Sequence, residues 1–181
     1  MNMYYIAVVL PEPLNERVLA LKQYMLDKYN CKVGLKSPAH ITIIPPFWTD
    51  AAKEPGLISD LDSLSTTISS FMLSTDNFSA FKPRTIFVAV KESGELNMVK
   101  QKAESLFTSK DYSIKKEGRP FHPHITIATR DLFKKDFAEA WPYFENKEIR
   151  EEWVVEGLSL LRHNKKNWDV IHTSQFHVFE S

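Results

Sequence analysis

The sequence predicts an α+β protein of two pseudo-equivalent lobes, with two antiparallel sheets flanked by helices around a central cleft. Three observations predict this fold. The tetrapeptide His-Ile-Thr-Ile occurs at residues 40–43 and again at 124–127, which indicates an internal repeat. Strand-helix-strand order occurs in both halves of the chain, and the last part has the pattern of a hairpin. Alternating strands and helices could also form a parallel α/β sheet, but the hairpin and the short connections favour the antiparallel arrangement.

The first half of the chain begins with a predicted strand and helix. A mostly apolar run from Tyr4 to Leu10 predicts the strand, and prolines end it. Apolar residues at helical spacing then predict a helix from about Pro13 to Tyr29. The first tetrapeptide predicts a strand that stops at Pro45-Pro46, because a central strand cannot continue through proline. A second helical stripe follows, made of Leu57, Leu61, Leu64, Ile68 and Phe71.

The second half begins with two predicted strands, at residues 77–81 and 85–90, with a turn at Lys82-Pro83-Arg84 between them. A third helix is predicted by the spacing of Leu96, Val99, Ala103 and Leu106. Residues 112–115 have the pattern of a short strand, and the second tetrapeptide predicts another. We therefore expect this half to provide a motif strand of its own.

The end of the chain predicts a fourth helix and the hairpin. Asp131 suits the N-cap of that helix, and Pro142 shortens it or marks its last turn. The hairpin strands are predicted from Val154 to Arg162 and from Trp168 to Phe179. No linker or low-complexity segment separates the two halves, so we expect residues 1–181 to form one bilobal domain.

Composition limits the class of protein. The 181 residues are 43% hydrophobic and 25% charged, as in ordinary globular proteins, and 23 basic residues balance 23 acidic ones. This balance argues against a protein that holds long nucleic acid by bulk charge. The single cysteine, Cys31, and the missing signal peptide favour the cytoplasm. The first apolar run is too short to span a membrane, and we expect a monomer without membrane contact.

The two tetrapeptides place the same side chains on the same faces. Side chains alternate along a strand, so His40 and Thr42 share one face and the neighbouring isoleucines share the other. The second copy repeats this with His124 and Thr126. We expect the isoleucines in the core and both His/Thr pairs on an open face.

This pair of motifs resembles the two-histidine phosphoesterase superfamily, particularly its 2'-5' RNA ligase-like branch. The flanks, Pro45-Pro46-Phe47 and Phe121-His122-Pro123, are similar to the family's as well, and the resemblance spans essentially the whole chain. It implies the bilobal fold, with one motif from each lobe facing the cleft. It also implies chemistry without metal or cofactor on 2',3'-cyclic phosphates or 2'-5' linkages, with a small nucleotide or a short RNA end as the substrate.

The motif residues suit general acid–base chemistry. Opening a cyclic phosphodiester needs one group that takes a proton from water and one that protonates the departing ribose oxygen, and histidine suits both roles. The sequence leaves open which of His40 and His124 is the base. The hydroxyls of Thr42 and Thr126 can donate hydrogen bonds to non-bridging phosphate oxygens. The reverse reaction would join RNA ends without ATP.

Further candidates flank the motifs. Phe47, Trp48 and Phe121 could stack on a nucleobase, with core packing as the alternative for Phe47 and Phe121. Arg130 shares the parity of Thr126 and could contact a distal phosphate about 13 Å along the strand, or lie in solvent. We expect His122 at the rim of the cleft beside His124. The remaining histidines, in or beside the hairpin, are expected at the surface or in the core: His163, His172 and His177.

Two other classes of function remain open. One is a nucleotide- or RNA-end-binding module that has the cleft but little turnover. The other is a metal-dependent hydrolase that uses His122 and His124, although no carboxylate or cysteine cluster accompanies them. The sequence lacks the phosphate-binding loop, the nucleophile elbow of serine hydrolases and the lysine motif of ATP-dependent ligases. We therefore expect no metal and no cofactor.

Overall fold

A computed structural model of the chain describes residues 1–178, which form eight β-strands and four α-helices. The strands are β1 Asn2–Val9, β2 His40–Thr49, β3 Phe71–Phe81, β4 Thr85–Val90, β5 His124–Ala128, β6 Glu152–Val155, β7 Gly157–His163 and β8 Trp168–Gln175. The helices are α1 Leu14–Tyr29, α2 Glu54–Ser65, α3 Gly94–Thr108 and α4 Lys134–Glu145. The predicted α+β class is confirmed.

The eight strands form one curled sheet in the order β6-β3-β4-β5-β2-β1-β7-β8, and every neighbouring pair is antiparallel. The two predicted sheets are therefore two halves of one sheet, each with four strands. The halves meet where β5 and β2 pair at a single position, Ile41 opposite Ile125. Each half contributes one motif strand, and these strands are neighbours at the centre of the sheet.

One face of the sheet is covered by helices. Helix α1 packs over β5 and α3 over β2, while α2 packs over β7 and β8 and α4 over β3. The isoleucines of both motifs lie in this core and are at most 1% exposed: Ile41, Ile43, Ile125 and Ile127. The prediction that they are core residues is confirmed. The histidines and threonines of the motifs consequently point to the opposite face.

Strand β2 does not stop at Pro45-Pro46, as the sequence predicted, but continues to Thr49. Its register against β1 passes from Ile44 opposite Ile6 to Phe47 opposite Tyr4, so the two prolines oppose Tyr5 alone. Two residues opposite one form a β-bulge. Because β5 pairs with β2 only at Ile41, no strand within residues 1–178 pairs with this edge of β2 beside the prolines. The N–H groups that proline lacks are therefore not needed for a ladder hydrogen bond there.

The strand predicted from Val154 to Arg162 is two strands, β6 and β7, separated at Glu156. Strand β6 pairs with β3 and β7 pairs with β1, so the chain crosses from one half of the sheet to the other at this residue. The hairpin of β7 and β8 is confirmed. Its predicted end, Phe179, lies outside the described residues.

The second predicted helix ends earlier than its apolar pattern indicated. Thr66 and Thr67 follow α2, and their hydroxyls donate to the carbonyls of Ser63 and Leu64, which competes with further helical bonds. Phe71 instead begins β3, which is longer than predicted. Residues 112–115 form no strand.

Helix α4 begins at Lys134, with Phe133 rather than Asp131 at its N-cap, and Pro142 lies inside it. The prediction of Asp131 as the cap was wrong because its carboxylate accepts hydrogen bonds from the backbone N–H groups of Lys32 and Val33, at 2.6 and 3.0 Å. This contact holds a 3-10 turn, Val33–Lys36, against the end of β5. No helix within residues 1–178 is both long and apolar enough to cross a membrane.

Candidate active site

The two motif strands lie side by side and run in opposite directions. With Ile41 opposite Ile125, the antiparallel alternation sets His40 opposite Thr126 and Thr42 opposite His124. The two histidines are therefore diagonal neighbours across the strand pair, with backbones about 7–8 Å apart. All four side chains lie on the face of the sheet that the helices leave open.

Each motif histidine is oriented by its own backbone in the same way. Nδ1 of His40 lies 2.7 Å from the carbonyl oxygen of Pro38, and Nδ1 of His124 lies 2.7 Å from that of His122. A carbonyl oxygen can only accept, so Nδ1 carries the hydrogen in both rings. Nε2 is then the nitrogen that accepts or releases a proton, and the two rings present the same nitrogen for chemistry.

Burial favours the neutral form of both rings. The pKa of His40 is lowered to about 4, chiefly by burial and less by the nearby charges of Lys22 and His124, against the opposing effect of the Pro38 carbonyl. Burial also lowers the pKa of His124, as does neighbouring His122, while the His122 carbonyl opposes the shift. Both imidazoles are consequently uncharged at neutral pH.

Aromatic rings flank both histidines, and the sequence analysis did not identify them. The Tyr5 ring lies 4.9 Å from that of His40 and packs against Trp168 at 4.6 Å. The rings of Phe81 and Phe87 each lie 5.1 Å from that of His124. The alternation of side chains along β1 was the only sequence signal for the position of Tyr5. The contacts of these rings with the histidines depend on the register between strands, which a local sequence pattern does not give.

A cleft of about 320 Å³ opens over the motif strands. His40, Thr42 and Thr126 line it, together with residues of the 3-10 turn and the loop after β5. His124 is beside the cleft, next to Thr126 on β5, but is not a lining residue. His163, which was expected at the surface or in the core, lines the cleft as well. The cleft therefore brings together residues from both halves of the sheet.

Three of the remaining candidates from the sequence lie in or beside the cleft. Trp48 is 56% exposed and sits opposite Met3, a lining residue. His122 is exposed and its ring lies 6.3 Å from that of His124. Arg130 lines the cleft and also a second cavity of about 480 Å³ that Arg84 and Lys134 border. Arg130 thus lies where the two cavities meet.

Two aromatic candidates pack against the hydrophobic core. Phe47 is only 7% exposed and packs against Tyr4 in the core. Phe121 packs against the same core, with the Lys100 ammonium 5.6 Å from its ring centre. For Phe47 this burial rules out stacking on a nucleobase and leaves core packing, the alternative considered from the sequence. Phe121 is only partly buried, and its packing against the core favours the same alternative.

Lys22 is a cleft residue that the sequence analysis missed. It lies on the buried face of α1, between Val18 and Met25, and lines the cleft near His40. A lysine in the middle of a buried apolar stripe breaks the helical pattern, and this break was the signal that could have identified it.

A metal site is not recognisable in the part of the chain that the structure describes. Within residues 1–178 no three or more His, Cys, Asp or Glu side chains are grouped so that they could hold a metal ion. His122 and His124, the pair considered from the sequence, have no third ligand of this kind beside them among these residues. The motifs present two imidazoles and two hydroxyls, and the cations of Lys22, Lys36 and Arg130 line the cleft.

Residues 10–167 match the family model described as the 2'-5' RNA ligase superfamily. No curated protein matches the sequence. Among solved structures, TT0787 of Thermus thermophilus is similar, with a TM-score of 0.73, 18% identity and coverage of 99% of this chain and 100% of that one. E. coli LigT complexed with 3'-AMP has a TM-score of 0.66 and 16% identity, with 97% and 98% of the two chains covered. E. coli LigT complexed with NADP+ has a TM-score of 0.62, 16% identity and coverage of 97% of each chain. At these identities the solved structures bear on the fold alone.

Proposed function

We propose that this chain, which belongs to the 2'-5' RNA ligase superfamily, hydrolyses a 2',3'-cyclic or 2'-5'-linked phosphodiester of a nucleotide or RNA end without a metal. One observation carries the proposal. Two imidazoles on neighbouring strands are held through Nδ1 by backbone carbonyls, so both Nε2 atoms are free to transfer protons. Membership of the superfamily supports phosphoesterase or ligase-like chemistry; the substrate and the roles of residues are our proposal.

We assign the base to His40 and the acid to His124. His40 lines the cleft and has the Lys22 cation near it, which favours the neutral ring that a base requires. Nε2 of His40 takes a proton from water as the water oxygen bonds to phosphorus. The bond from phosphorus to one ribose oxygen then breaks, and Nε2 of protonated His124 donates its proton to that oxygen. The product is a phosphomonoester with a free ribose hydroxyl.

Thr42 and Thr126 would hold the phosphate. Each lies opposite the histidine of the other strand, so a phosphate between the two imidazoles would have a hydroxyl on either side. Their O–H groups donate to the non-bridging oxygens, where negative charge increases in the transition state. The reverse reaction in this site would join a cyclic phosphate end to a hydroxyl group, which is ligation without ATP.

A small nucleotide or a short RNA end suits the site. The volume of the cleft, about 320 Å³, is at the lower end of the range for small-molecule sites. E. coli LigT has been solved with 3'-AMP, ATP and NADP+, which supports a nucleotide as the ligand in this fold. Trp48 would stack on an exposed base, and Arg130 would contact a phosphate further along the chain.

The pH dependence follows from the lowered pKa values. His40 must be neutral, which holds above its pKa of about 4, and His124 must be protonated, which holds below its own lowered pKa. The kcat/KM of the free enzyme should therefore peak between about pH 4 and the ordinary histidine value of about 6.5. The kcat profile should be shifted to higher pH, since bound phosphate stabilises protonated histidine. A kcat/KM that keeps rising through pH 8 would contradict the assignment.

The experiment that tests the function is hydrolysis of the four 2',3'-cyclic mononucleotides and a 2'-5' dinucleotide in the presence of EDTA. We expect turnover of at least one class with an unchanged rate after chelation. The chromatographic position of the product shows which ribose oxygen leaves. Turnover that EDTA abolishes would replace the proposal with metal-dependent hydrolysis, and tight binding without product would favour a binding module.

A further inference from the structure

Within residues 1–178 two lysines are buried, and both come from the helices that cover the motif strands. Lys22 on α1 is 3% exposed and Lys100 on α3 is 7% exposed. Each ammonium donates to a backbone carbonyl near a motif: Lys22 to Ser37 at 3.1 Å, and Lys100 to Ile43 at 2.9 Å. Both lysines therefore bond to the backbone around the first motif, one from a helix of each half of the chain.

The surroundings of the two charges differ. Lys100 is neutralised by two carboxylates, Glu104 at 3.4 Å and Glu117 in a closer contact. Lys22 has no carboxylate within 4 Å among the described residues; its one hydrogen-bond acceptor is the uncharged Ser37 carbonyl. An ammonium has three N–H donors, so two donors of Lys22 have no protein acceptor among residues 1–178.

A buried charge without a counter-charge is costly. Desolvation disfavours it and lowers the pKa of Lys22 to about 8, yet at neutral pH the ammonium remains mostly protonated. Such a group destabilises the protein relative to an apolar side chain of the same size. A lysine selected only for packing would not have this cost, which is an argument for an anionic ligand as the partner of Lys22.

The position of Lys22 indicates which anion. Lys22 lines the same cleft as His40, Thr42 and Thr126, the residues to which we assign the phosphate chemistry. Among residues 1–178, no Asp or Glu side chain lines this cleft. We propose that Lys22 is a phosphate-binding residue of the cleft, whose ammonium contacts a non-bridging oxygen of the substrate phosphodiester and of the phosphomonoester product.

This inference rests on the proposed function, because it takes the ligand of the cleft to be a phosphoester. It adds a cation to the two hydroxyls at the phosphate. In a site shielded from water such a cation stabilises the charge that develops in the transition state more than it stabilises the ground state. It also favours the dianionic product over the monoanionic substrate, which predicts product inhibition.

The first test measures phosphate binding without any turnover. The melting temperature is recorded with inorganic phosphate and with sodium chloride of equal ionic strength, since a ligand that binds the folded state raises it. We expect phosphate to raise the melting temperature of the wild type but not of Lys22→Met. The matched control is Lys28→Met, an exposed lysine on the same helix, which should keep the wild-type shift.

Lys22→Gln separates the charge from the hydrogen bond. Its amide can still donate to the Ser37 carbonyl, but it has no charge. If Lys22 binds phosphate, Lys22→Gln loses the phosphate shift and Lys22→Arg keeps part of it. If Lys22 only supports the loop before β2, Lys22→Gln keeps the shift, which would overturn the proposal. The proposal is also overturned if the wild type shows no shift beyond that with chloride.

Two further measurements complete the test: the melting temperature in the absence of phosphate, and the enzymatic activity. Lys22→Met should melt at the wild-type temperature or higher, since a buried unpaired charge has been removed, while kcat/KM falls about 100-fold. A large loss of stability in both uncharged variants would assign a structural role and overturn the proposal. Because the melting shift needs no turnover, a protein that binds phosphate through Lys22 but hydrolyses none of the substrates would refute the proposed function alone.

Discussion

Replacing either motif histidine by alanine, in His40→Ala or His124→Ala, is expected to lower kcat by about 10²–10⁴-fold on the best of the cyclic or 2'-5' substrates. Each variant removes one of the two positioned proton transfers. The losses should not add in the double variant, because the two groups act in one step. The measurement is steady-state kinetics in EDTA, with circular dichroism to show that the fold is retained.

The matched control is His177→Ala. This histidine is exposed, and its backbone rather than its side chain makes the described hydrogen bonds. It should keep wild-type kinetics. Turnover that survives His40→Ala or His124→Ala within a few-fold would refute the acid–base pair, whatever the substrate.

The second large effect is expected from Gly34→Ala, in the 3-10 turn that borders the cleft. A Cβ at this position would lie 2.5 Å from the carbonyl oxygen of Ile127. This distance is too short for a non-bonded contact between carbon and oxygen. The turn must therefore move away from β5, at a cost of about 2–3 kcal/mol. The melting temperature should fall by about 5–10 °C, measured by thermal denaturation.

The activity of Gly34→Ala should fall together with its melting temperature, because the same movement of the turn displaces residues of the cleft. Val33, Gly34 and Ser37 line the cleft, and the Lys22 side chain lies 3.6 Å from the added Cβ. A displacement of about 1 Å is enough to reduce kcat/KM about 100-fold. Gly94→Ala is the control, since no atom lies within 4 Å of its added Cβ. Equal melting temperatures for the two variants would show that the turn does not fix the cleft.

The central part of the fold could be predicted because it depends on local pattern. Alternation within a strand was enough to place Ile41 in the core and His40 on the opposite face, since side chains of a strand alternate whatever its neighbours are. The bounds of α1 and the start of β4 followed in the same way from the spacing of apolar residues and from proline signals. The roles of the motif residues in catalysis remain predictions.

Other features depend on contacts between distant segments. Strand β2 continues past Pro45 because the edge of β2 that faces β5 has no partner strand there among the described residues. Strand β6 ends at Val155 because the chain crosses to the other half of the sheet at Glu156. Asp131 has the chemistry of a cap, but a turn about 100 residues earlier uses its carboxylate. The break that Lys22 makes in the apolar stripe of α1 is a local signal, but its position in the cleft depends on how α1 packs. None of these arrangements is visible in a local window of sequence.

The most direct measurement compares leaving groups. The kcat/KM of wild type, His40→Ala and His124→Ala is determined for a ribonucleoside 2',3'-cyclic phosphate and for a p-nitrophenyl phosphodiester of the same nucleoside. A p-nitrophenolate leaves without protonation, so a variant that lacks the general acid regains most of its activity on the second substrate. The account predicts this recovery for His124→Ala and a persistent loss for His40→Ala. Recovery of His40→Ala instead would reverse the two roles, and recovery of neither variant would contradict proton donation to the departing ribose oxygen.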